Sequence, residues 1–365
     1  MRDGWEEISL EDLETSGVIK LGRGDVISKK DMEADPGPNP VYSSAENKNG
    51  MIGKYDKFMF DEELITWSVD GGGHIFYRPK HKFSVTNIGG WLRILDDKVF
   101  SYQFLTYALQ RLHKQHSFDW QHKAHPSVIR KLYTRIPLPS LPEQKRIVDL
   151  ISSVDSYIEA LQQQSESAKK SRNAVLHELM SQAFDENRKP LIELAKLQRG
   201  HDLPTQDRIE GSIPVVASNG VVGFHNTHKA IGPGVVTGRS GTIGKVIYID
   251  DDYWPLNTTL YVIDFKGNLP KFVALVLETL KLENYAGGST VPSLDRNVLS
   301  QVPVPYPSIK EQERIVGIIQ SLDEVLAKSE HAISQAKILR TGLLSDLLSG
   351  THEIPASYDK VIGAA

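Results

Sequence analysis

The sequence predicts an α+β protein written as one unit twice: two tandem mixed, β-rich domains separated by two long helices that form an antiparallel coiled coil with a pseudo-twofold. Three observations predict it. The stretch PEQKRIV at 142–148 returns as KEQERIV at 310–316, and a charged heptapeptide repeated in one chain marks a structural unit. Each copy opens a run of apolar positions spaced alternately by four and three residues, the pattern of a helical seam. The segments that precede the two copies also align, more weakly and with gaps.

The helices follow from the repeat. Glu311 stands 168 residues after Glu143, and the same offset pairs Arg146 with Arg314, Ile151 with Ile319, Asp155 with Asp323 and Arg172 with Arg340. The first seam reads Ile147, Ile151, Val154, Ile158, Leu161, Ser165, Ala168, Arg172, Val175, Leu179. The second reads Ile315, Ile319, Leu322, Leu326, Ser329, Ile333, Ala336, Arg340, Leu343, Leu347. A Ser-x-x-Glu capping box opens each helix, Ser140 to Glu143 and Ser308 to Glu311, and Gly350 is placed to end the second. About forty residues at ~1.5 Å per residue make a rod of about 60 Å, long for a local packing element, and an aliphatic stripe on such a rod asks for a partner. The expected register is antiparallel, with Ile147 beside Leu347, Leu161 near Ile333 and Ser165 beside Ser329. A heptad shift would also bury most of the seam, and packing of each helix on its own domain is the alternative arrangement. Arg172 and Arg340 are read as snorkelling rim residues.

The domains are placed at 1–139 and 185–306, the helices at 140–184 and 307–351, and a tail at 352–365. Arg23-Gly24 answers Arg199-Gly200, PVYSSAENKNGMIGKY (40–55) answers PVVASNGVVGF (214–224), and ITWSVDGGGHIFY (65–77) lines up with VTGRSGTIGKVIY (236–248). HPSVIRKLYTRIPLP (125–139) likewise matches VPSLDRNVLSQVPVP (291–305). Runs such as 246–249 and 260–263, bounded by Gly, Asn and Pro, read as strands, while FLTYALQRLH (104–113) and FVALVLETLK (272–281) read as one helix in each domain.

Composition narrows the function. A 365-residue chain with 40% hydrophobic and 24% charged residues is ordinary for a globular protein, and a net charge of -4 leaves nucleic-acid binding to local patches. The lack of cysteine removes thiol catalysis, disulfides and Cys-type zinc sites. The start shows no signal-peptide apolar region and runs such as 272–277 are far short of a membrane span, so a cytoplasmic protein is expected. GRSGTIGK (238–245) is not a phosphate loop: Arg239 stands where the first Gly is required, and Val246 where a hydroxyl residue must follow the lysine. The histidines of HKQHSFDWQHKAH (113–125) lack a carboxylate or cysteine at ligand spacing, so no metal is assigned; the stretch reads as a basic, aromatic loop approaching a phosphate backbone. With no adenine pocket, no S-adenosylmethionine turn and no nuclease cluster, the chain is expected to catalyse nothing by itself.

Two variable domains alternating with two near-identical helical regions, each carrying Pro-x-Pro and then Glu-Gln-x-Arg-Ile, resemble the specificity subunit of type I restriction-modification systems. The resemblance covers essentially the whole chain and rests on Pro137, Pro139, Glu143, Gln144, Arg146 and Ile147, and on Pro303, Pro305, Glu311, Gln312, Arg314 and Ile315. It implies that each domain is a target-recognition domain reading one half of a split, asymmetric sequence in double-stranded DNA. It further implies that the helices hold the halves apart and dock two methyltransferase subunits, through which restriction subunits join. Cofactors would then belong to the partners, S-adenosylmethionine to the methyltransferase and ATP with Mg to the restriction subunit. A pseudo-twofold that joins unlike domains should read unlike half-sites, about one duplex turn (~34 Å) or a similar fixed distance apart.

Base edges are read by polar side chains and phosphates by Lys, Arg and backbone amides. The expected contacts in the first domain are Ser44, Lys48, Asn49, Lys54, Arg78, Lys80 and Lys82, with His81 beside them. In the second they are Arg199, His201, Ser218, Asn219, Arg239, Ser240, Lys245 and Asn257. Gly71 to Gly73, Gly238, Gly241 and Gly244 are read as turns or bulges. The competing function is a coiled-coil adaptor that scaffolds other proteins without reading DNA; it leaves two similar yet divergent polar-looped domains unexplained. The recognition half of a fused restriction-methylation enzyme is disfavoured by the missing catalytic segment.

Overall fold

The computed structural model describes residues 5–44, 47–70, 74–118, 121–287, 292–355 and 357–358. It divides into two compact units, residues 1–160 with 333–365, and residues 161–332. Each unit takes one domain together with a piece of both long helices, Leu141–Glu186 and Ile309–Ser349.

The first unit holds a six-stranded sheet in the order Ile19–Arg23, Gly89–Ile94, Phe60–Ser68, Ile75–Val85, Asn39–Tyr42, Met51–Tyr55. Every pairing is antiparallel except that of Asn39–Tyr42 with Ile75–Val85, where Val41 lies parallel to Ser84. The helix Tyr102–His113 is capped by Ser101, whose side chain accepts from the Phe104 amide, and it buries Phe104, Leu105, Ala108, Leu109 and Leu112 on one face. That face shares a core with Leu10, Ile65, Leu92 and Tyr133 and with Ile147, Ile151, Leu347 and Leu348 of the long helices.

The second unit repeats the plan with less regular strands. A four-stranded sheet runs Lys196–Arg199, Thr259–Asp264, Gly234–Gly238, Val246–Ile249, and a three-stranded sheet runs Gly220–His225, Ile213–Ala217, Trp254–Pro255. The aligned segments form the same motif in both units. Pro40 faces Lys54 across one antiparallel hairpin and Pro214 faces Phe224 across the other, and each hairpin's first strand lies parallel to a further strand, Val41 by Ser84 and Val215 by Trp254. The short strand Glu6–Ile8 pairs with Ile136–Leu138 as Arg188–Pro190 pairs with Pro303–Pro305. The helix Pro270–Thr279 is the counterpart of Tyr102–His113, and its Phe272, Val273 and Val276 join a core with Leu176, Met180, Ile315 and Ile319.

The long helices run antiparallel within each unit, as the seam requires. In the first, Arg340 meets Asp155 through two bonds of 2.6 and 2.8 Å. In the second, Arg172 meets Asp323 at 2.9 and 3.3 Å, and Lys169 meets Glu330 at 2.7 Å. The expected register would set Asp155 opposite Leu339 and Arg172 opposite Leu322, one position from the residues they bind. Because Asp155 and Asp323 are repeat mates, as are Arg172 and Arg340, the contact is isologous: each helix gives an arginine to the other's aspartate.

Two expectations are corrected here. Arg172 and Arg340 are paired rather than snorkelling, because a carboxylate of the other helix stands within reach of each guanidinium. Val175 is 37% exposed, and Leu176 takes its place in the core with Met180 and Ala183. A straight helix drifts by ~20° per heptad against a 3.5-residue repeat, so a seam read as strict heptads from Ile147 is turned by about 80° at Val175, four heptads on. Elsewhere Ile147, Ile151, Ile158, Ile315, Ile319 and Leu347 are buried, and Val154, Leu161, Leu179, Leu322, Leu326, Ile333 and Leu343 are half-buried.

Each long helix is locked to its domain by the glutamine of the repeated motif. Gln144 is fully buried; its amide nitrogen Nε2 donates to the carbonyls of Val99 (2.8 Å) and Pro139 (3.0 Å), while Oε1 accepts from the Ser101 amide at 2.9 Å. Gln312, also fully buried, donates to Asn268 Oδ1 (2.7 Å) and the Pro307 carbonyl (3.1 Å) and accepts from the Leu269 amide at 3.0 Å. Ser101 and Leu269 are the N-cap residues of the two domain helices, so the amide ties two helix starts together in each unit. The cap at Ser308 is half of a box: its Oγ accepts from the Glu311 amide (3.4 Å), but the Glu311 carboxylate turns to Arg314. Gly350 ends the second helix at φ 72°, with the Thr351 amide on the Asp346 carbonyl at 3.1 Å.

Candidate nucleic-acid interface

In each unit the candidate surface is built around the hairpin and the strand that crosses beside it. Gly24 and Gly200 occupy the same place in the two motifs. A Cβ at Gly24 would collide with the Val85 carbonyl, and one at Gly200 with the Leu256 carbonyl, so only glycine lets the chain pass. The arginine before each glycine is thereby held at the rim. Arg199 is exposed, and Arg23 caps the Asn87 carbonyl with Nε at 3.0 Å.

In the first unit, Lys54, Lys80 and Lys82 are exposed on the two strands that flank Asn39–Tyr42, with the Lys82 ammonium 4.7 Å from the Phe58 ring centre. His81 is half-buried, stacked on Phe83 and bonded to the Tyr42 hydroxyl at 3.1 Å. Ser44 is half-buried and Asn49 exposed at φ 53°; the Lys48 side chain and Gly71 to Gly73 lie outside the described residues.

Arg78 is the clearest correction. It is only 4% exposed, with its guanidinium 3.6 Å from the Tyr42 ring centre and 4.6 Å from that of Phe76. Nε donates to Thr66 Oγ1 (2.9 Å) and Nη2 to the Asn49 carbonyl (2.7 Å). Burial pulls its pKa down to about 10. A guanidinium sandwiched between rings cannot reach out to a base edge; it holds the 47–50 turn in place instead. Beneath the same turn Thr86 Oγ1 donates to Ser43 Oγ at 2.7 Å, both residues being buried.

In the second unit the selected residues converge on the segment 255–259. The His201 amide bonds to the Pro255 carbonyl (2.8 Å), and the amides of Arg239 and Ser240 bond to the Thr258 carbonyl (2.8 and 3.2 Å). His201 Nε2 lies 3.1 Å from the Tyr261 hydroxyl, and Asn257 Nδ2 donates to Asp202. Lys245 Nζ donates to the Asn219 carbonyl at 2.6 Å, which draws the 238–245 hairpin against the 217–220 turn. Asn219 and Lys245 are exposed, and Arg239, Ser240, His201 and Asn257 half-buried. Ser218 is 8% exposed and faces the turn at Gly241, so it supports the cluster rather than presenting a hydroxyl to solvent.

The histidine segment is mostly structural. His113 is buried in the first core, stacked on Phe118 and bonded to the Tyr133 hydroxyl, and His125 caps the helix Pro126–Leu132. His116 stacks on Tyr133, while His122 is exposed. The rings of His113 and His116 are taken up by packing, and Lys114, His122 and Lys123 are the exposed basic residues of the stretch. Among the described residues no group of three or more His, Cys, Asp or Glu side chains is placed to hold a metal ion.

Three residues were aligned in the sequence but given no structural role there. Arg23 stands at the position of the chosen Arg199, and Gln144 and Gln312 are identical in the two copies.

The comparisons with known proteins bear on the whole chain. The family model for the type I restriction modification DNA specificity domain matches it twice, over residues 2–170 and 187–337. The chain belongs to this family. Among the relatives of this specificity chain, the putative type I specificity subunit S.MpnORF507P of Mycoplasma pneumoniae is 26% identical over 339 residues, 88% of this chain and 91% of the relative. The type I restriction enzyme MpnII specificity subunit of the same organism is 31% identical over 147 residues, 40% of this chain and 43% of the relative. The type I restriction-modification S subunit from M. genitalium superposes with a TM-score of 0.57 at 18% identity, covering 95% of this chain and 97% of that one. A chain from work on complex assembly and conformational transition of the type I R-M system gives 0.61 at 14% identity, over 95% and 98%. These likenesses share the specificity chain's fold, two mixed domains and two long helices. Among the described residues no helix is long and apolar enough to cross a membrane.

Proposed function

We propose that this chain reads a bipartite, asymmetric DNA target, one half with each unit, and delivers it to methyltransferase and restriction subunits docked on its helices. One observation carries the reading. The same hairpin, glycine crossing and glutamine clamp occur in both units, yet the side chains at the rim differ: Lys54, Lys80 and Lys82 in one, Asn219, Arg239 and Lys245 in the other. A shared frame with unlike rims reads unlike half-sites. An adaptor that never touched DNA would have no need of two divergent rims on one frame.

The chemistry belongs to the partners on this reading. Methyl transfer to an adenine flipped from the stack requires S-adenosylmethionine in the methyltransferase, and translocation and cleavage require ATP and Mg in the restriction subunit. The chain supplies position. Methylome sequencing of cells expressing a cognate methyltransferase with and without the chain tests this. Adenine methylation of one split, non-palindromic sequence only when both are present is the expected result; methylation independent of the chain defeats the reading. Purified complex should also bind its target with an affinity that falls linearly in log–log form with salt, in proportion to the phosphates contacted.

A further inference from the structure

The two units differ where the domain helix meets the long helices. In the first unit Tyr107, on the domain helix, fills the angle between that helix and the long helices. The Ser152 side chain lies beside its phenol, and the Arg340 guanidinium lies 5.7 Å from its ring centre. The offset of 168 residues maps Tyr107 to Leu275, Ser152 to Gln320, Asp155 to Asp323 and Arg340 to Arg172. In the second unit the same angle is an open groove of about 240 Å³, walled by Leu275, Val316, Ile319 and Tyr248, with Gln320 and Arg172 at its edge.

The groove is thus the Tyr107 site with its ring removed and its recognition groups kept. Arg172 stands where Arg340 faces the Tyr107 ring, held there by Asp323 and Glu278, so a cation is already placed for the face of an aromatic ring. Gln320 stands where Ser152 lies beside the phenol, and its Oε1 holds the Lys271 ammonium only at 3.4 Å. Apolar walls with a hydrogen-bonding group at one end suit a phenol, amphipathic in the same sense. A dry cavity of about 150 Å³ already accommodates benzene, so a ring fits this one.

We propose that this groove is a docking site for a tyrosine side chain of a partner protein, which supplies in trans the ring that Tyr107 supplies in cis to the first unit. The proposal rests on the reading of the chain as a subunit that docks methyltransferases, and it makes their two attachments unequal. A partner on the first unit meets Tyr107 already in place; one on the second inserts a ring.

The test uses the full chain, with p-cresol as the probe of the groove and a cognate methyltransferase subunit as the partner. The wild type should bind p-cresol by NMR titration with shifts confined to the amides around 274–278 and 316–323, and Leu275→Tyr should abolish those shifts. Leu275→Tyr should also weaken methyltransferase binding by tenfold or more, measured by isothermal titration, and Gln320→Met, which keeps the volume and removes the hydroxyl's partner, by about threefold. Unchanged methyltransferase affinity in both variants overturns the proposal, and so does p-cresol binding equal in wild type and Leu275→Tyr. If Leu275→Tyr fails to fold, Gln320→Met decides alone. A wild-type chain that binds no methyltransferase defeats the functional reading instead, and absence of the p-cresol shifts then overturns the groove as well.

Discussion

The same arginine sits in two different settings. Arg172 is 9% exposed and serves two carboxylates on two elements, Asp323 of the second long helix and Glu278 of the domain helix. Arg340 is half-buried and serves Asp155, with the Tyr107 ring beside it. Where Glu278 stands in one unit, Gln110 stands in the other and bonds instead to the Ile75 carbonyl at 2.8 Å. Burial opposes the charge on Arg172, but its bonds to Asp323 and Glu278 outweigh it and raise its pKa; for Arg340 the bond to Asp155 is the larger influence and raises it likewise. The pair common to both units is the contact between long helices. The third partner, carboxylate or ring, is what each domain adds, so the frame was kept while the domain face against it diverged.

The largest effect that could break this comparison lies in the seam. Leu176→Ala should cost about 3 kcal/mol by loss of buried methyl groups and the cavity left behind, while Val175→Ala should cost under ~0.5 kcal/mol. Their repeat mates Leu344 and Leu343 are both half-buried against the first core, so alanine there should cost about 1 kcal/mol each by the methylenes lost. Urea denaturation followed by the tryptophan signal measures all four, and equal costs at 175 and 176 would restore the strict heptad seam.

The clamp comes next. Gln144→Ala and Gln312→Ala each strand a buried amide and two acceptors, which should cost about 2–3 kcal/mol apiece. Hydrogen exchange sharpens the comparison, because Ser101 should lose protection in the first variant and Leu269 in the second, each without the other.

For the ion pairs, Arg172→Met should cost about 2 kcal/mol and Arg340→Met about 1 kcal/mol, since the first loses charge-assisted bonds to two carboxylates and the second to one. Charge reversal at both members, Arg340→Asp with Asp155→Arg, should recover part of the single-variant loss in a double-mutant cycle. The smallest effect is at the rim: Lys54→Ala should leave stability unchanged and lower the slope of log affinity against log salt by about 1, as one phosphate contact does.

The long helices were legible because their seam repeats within each copy and again between copies; that redundancy also gave their antiparallel run, with Arg172–Asp323 and Arg340–Asp155 one position, and Lys169–Glu330 five positions, from the expected register. Val175 was misplaced because spacing alone does not say how far a helix rotates when one side must meet a globular core such as that of Leu176, Leu191 and Leu194. The candidate interface was legible as a pair of hairpins and a glycine crossing, since Gly, Pro and Asn punctuate both. Arg78 was not, because its two aromatic neighbours, Tyr42 and Phe76, come from different strands and only folding brings them together. Arg23 was legible and passed over: its alignment with Arg199 carried the signal.

The measurement that bears most directly on the central claim, one frame carrying two independent readers, is the methylome of a chain whose residues 190–299 are exchanged for those of a relative with a different target. The account predicts that one half of the methylated sequence changes while the other half is retained. A change in both halves, or in neither, would contradict it.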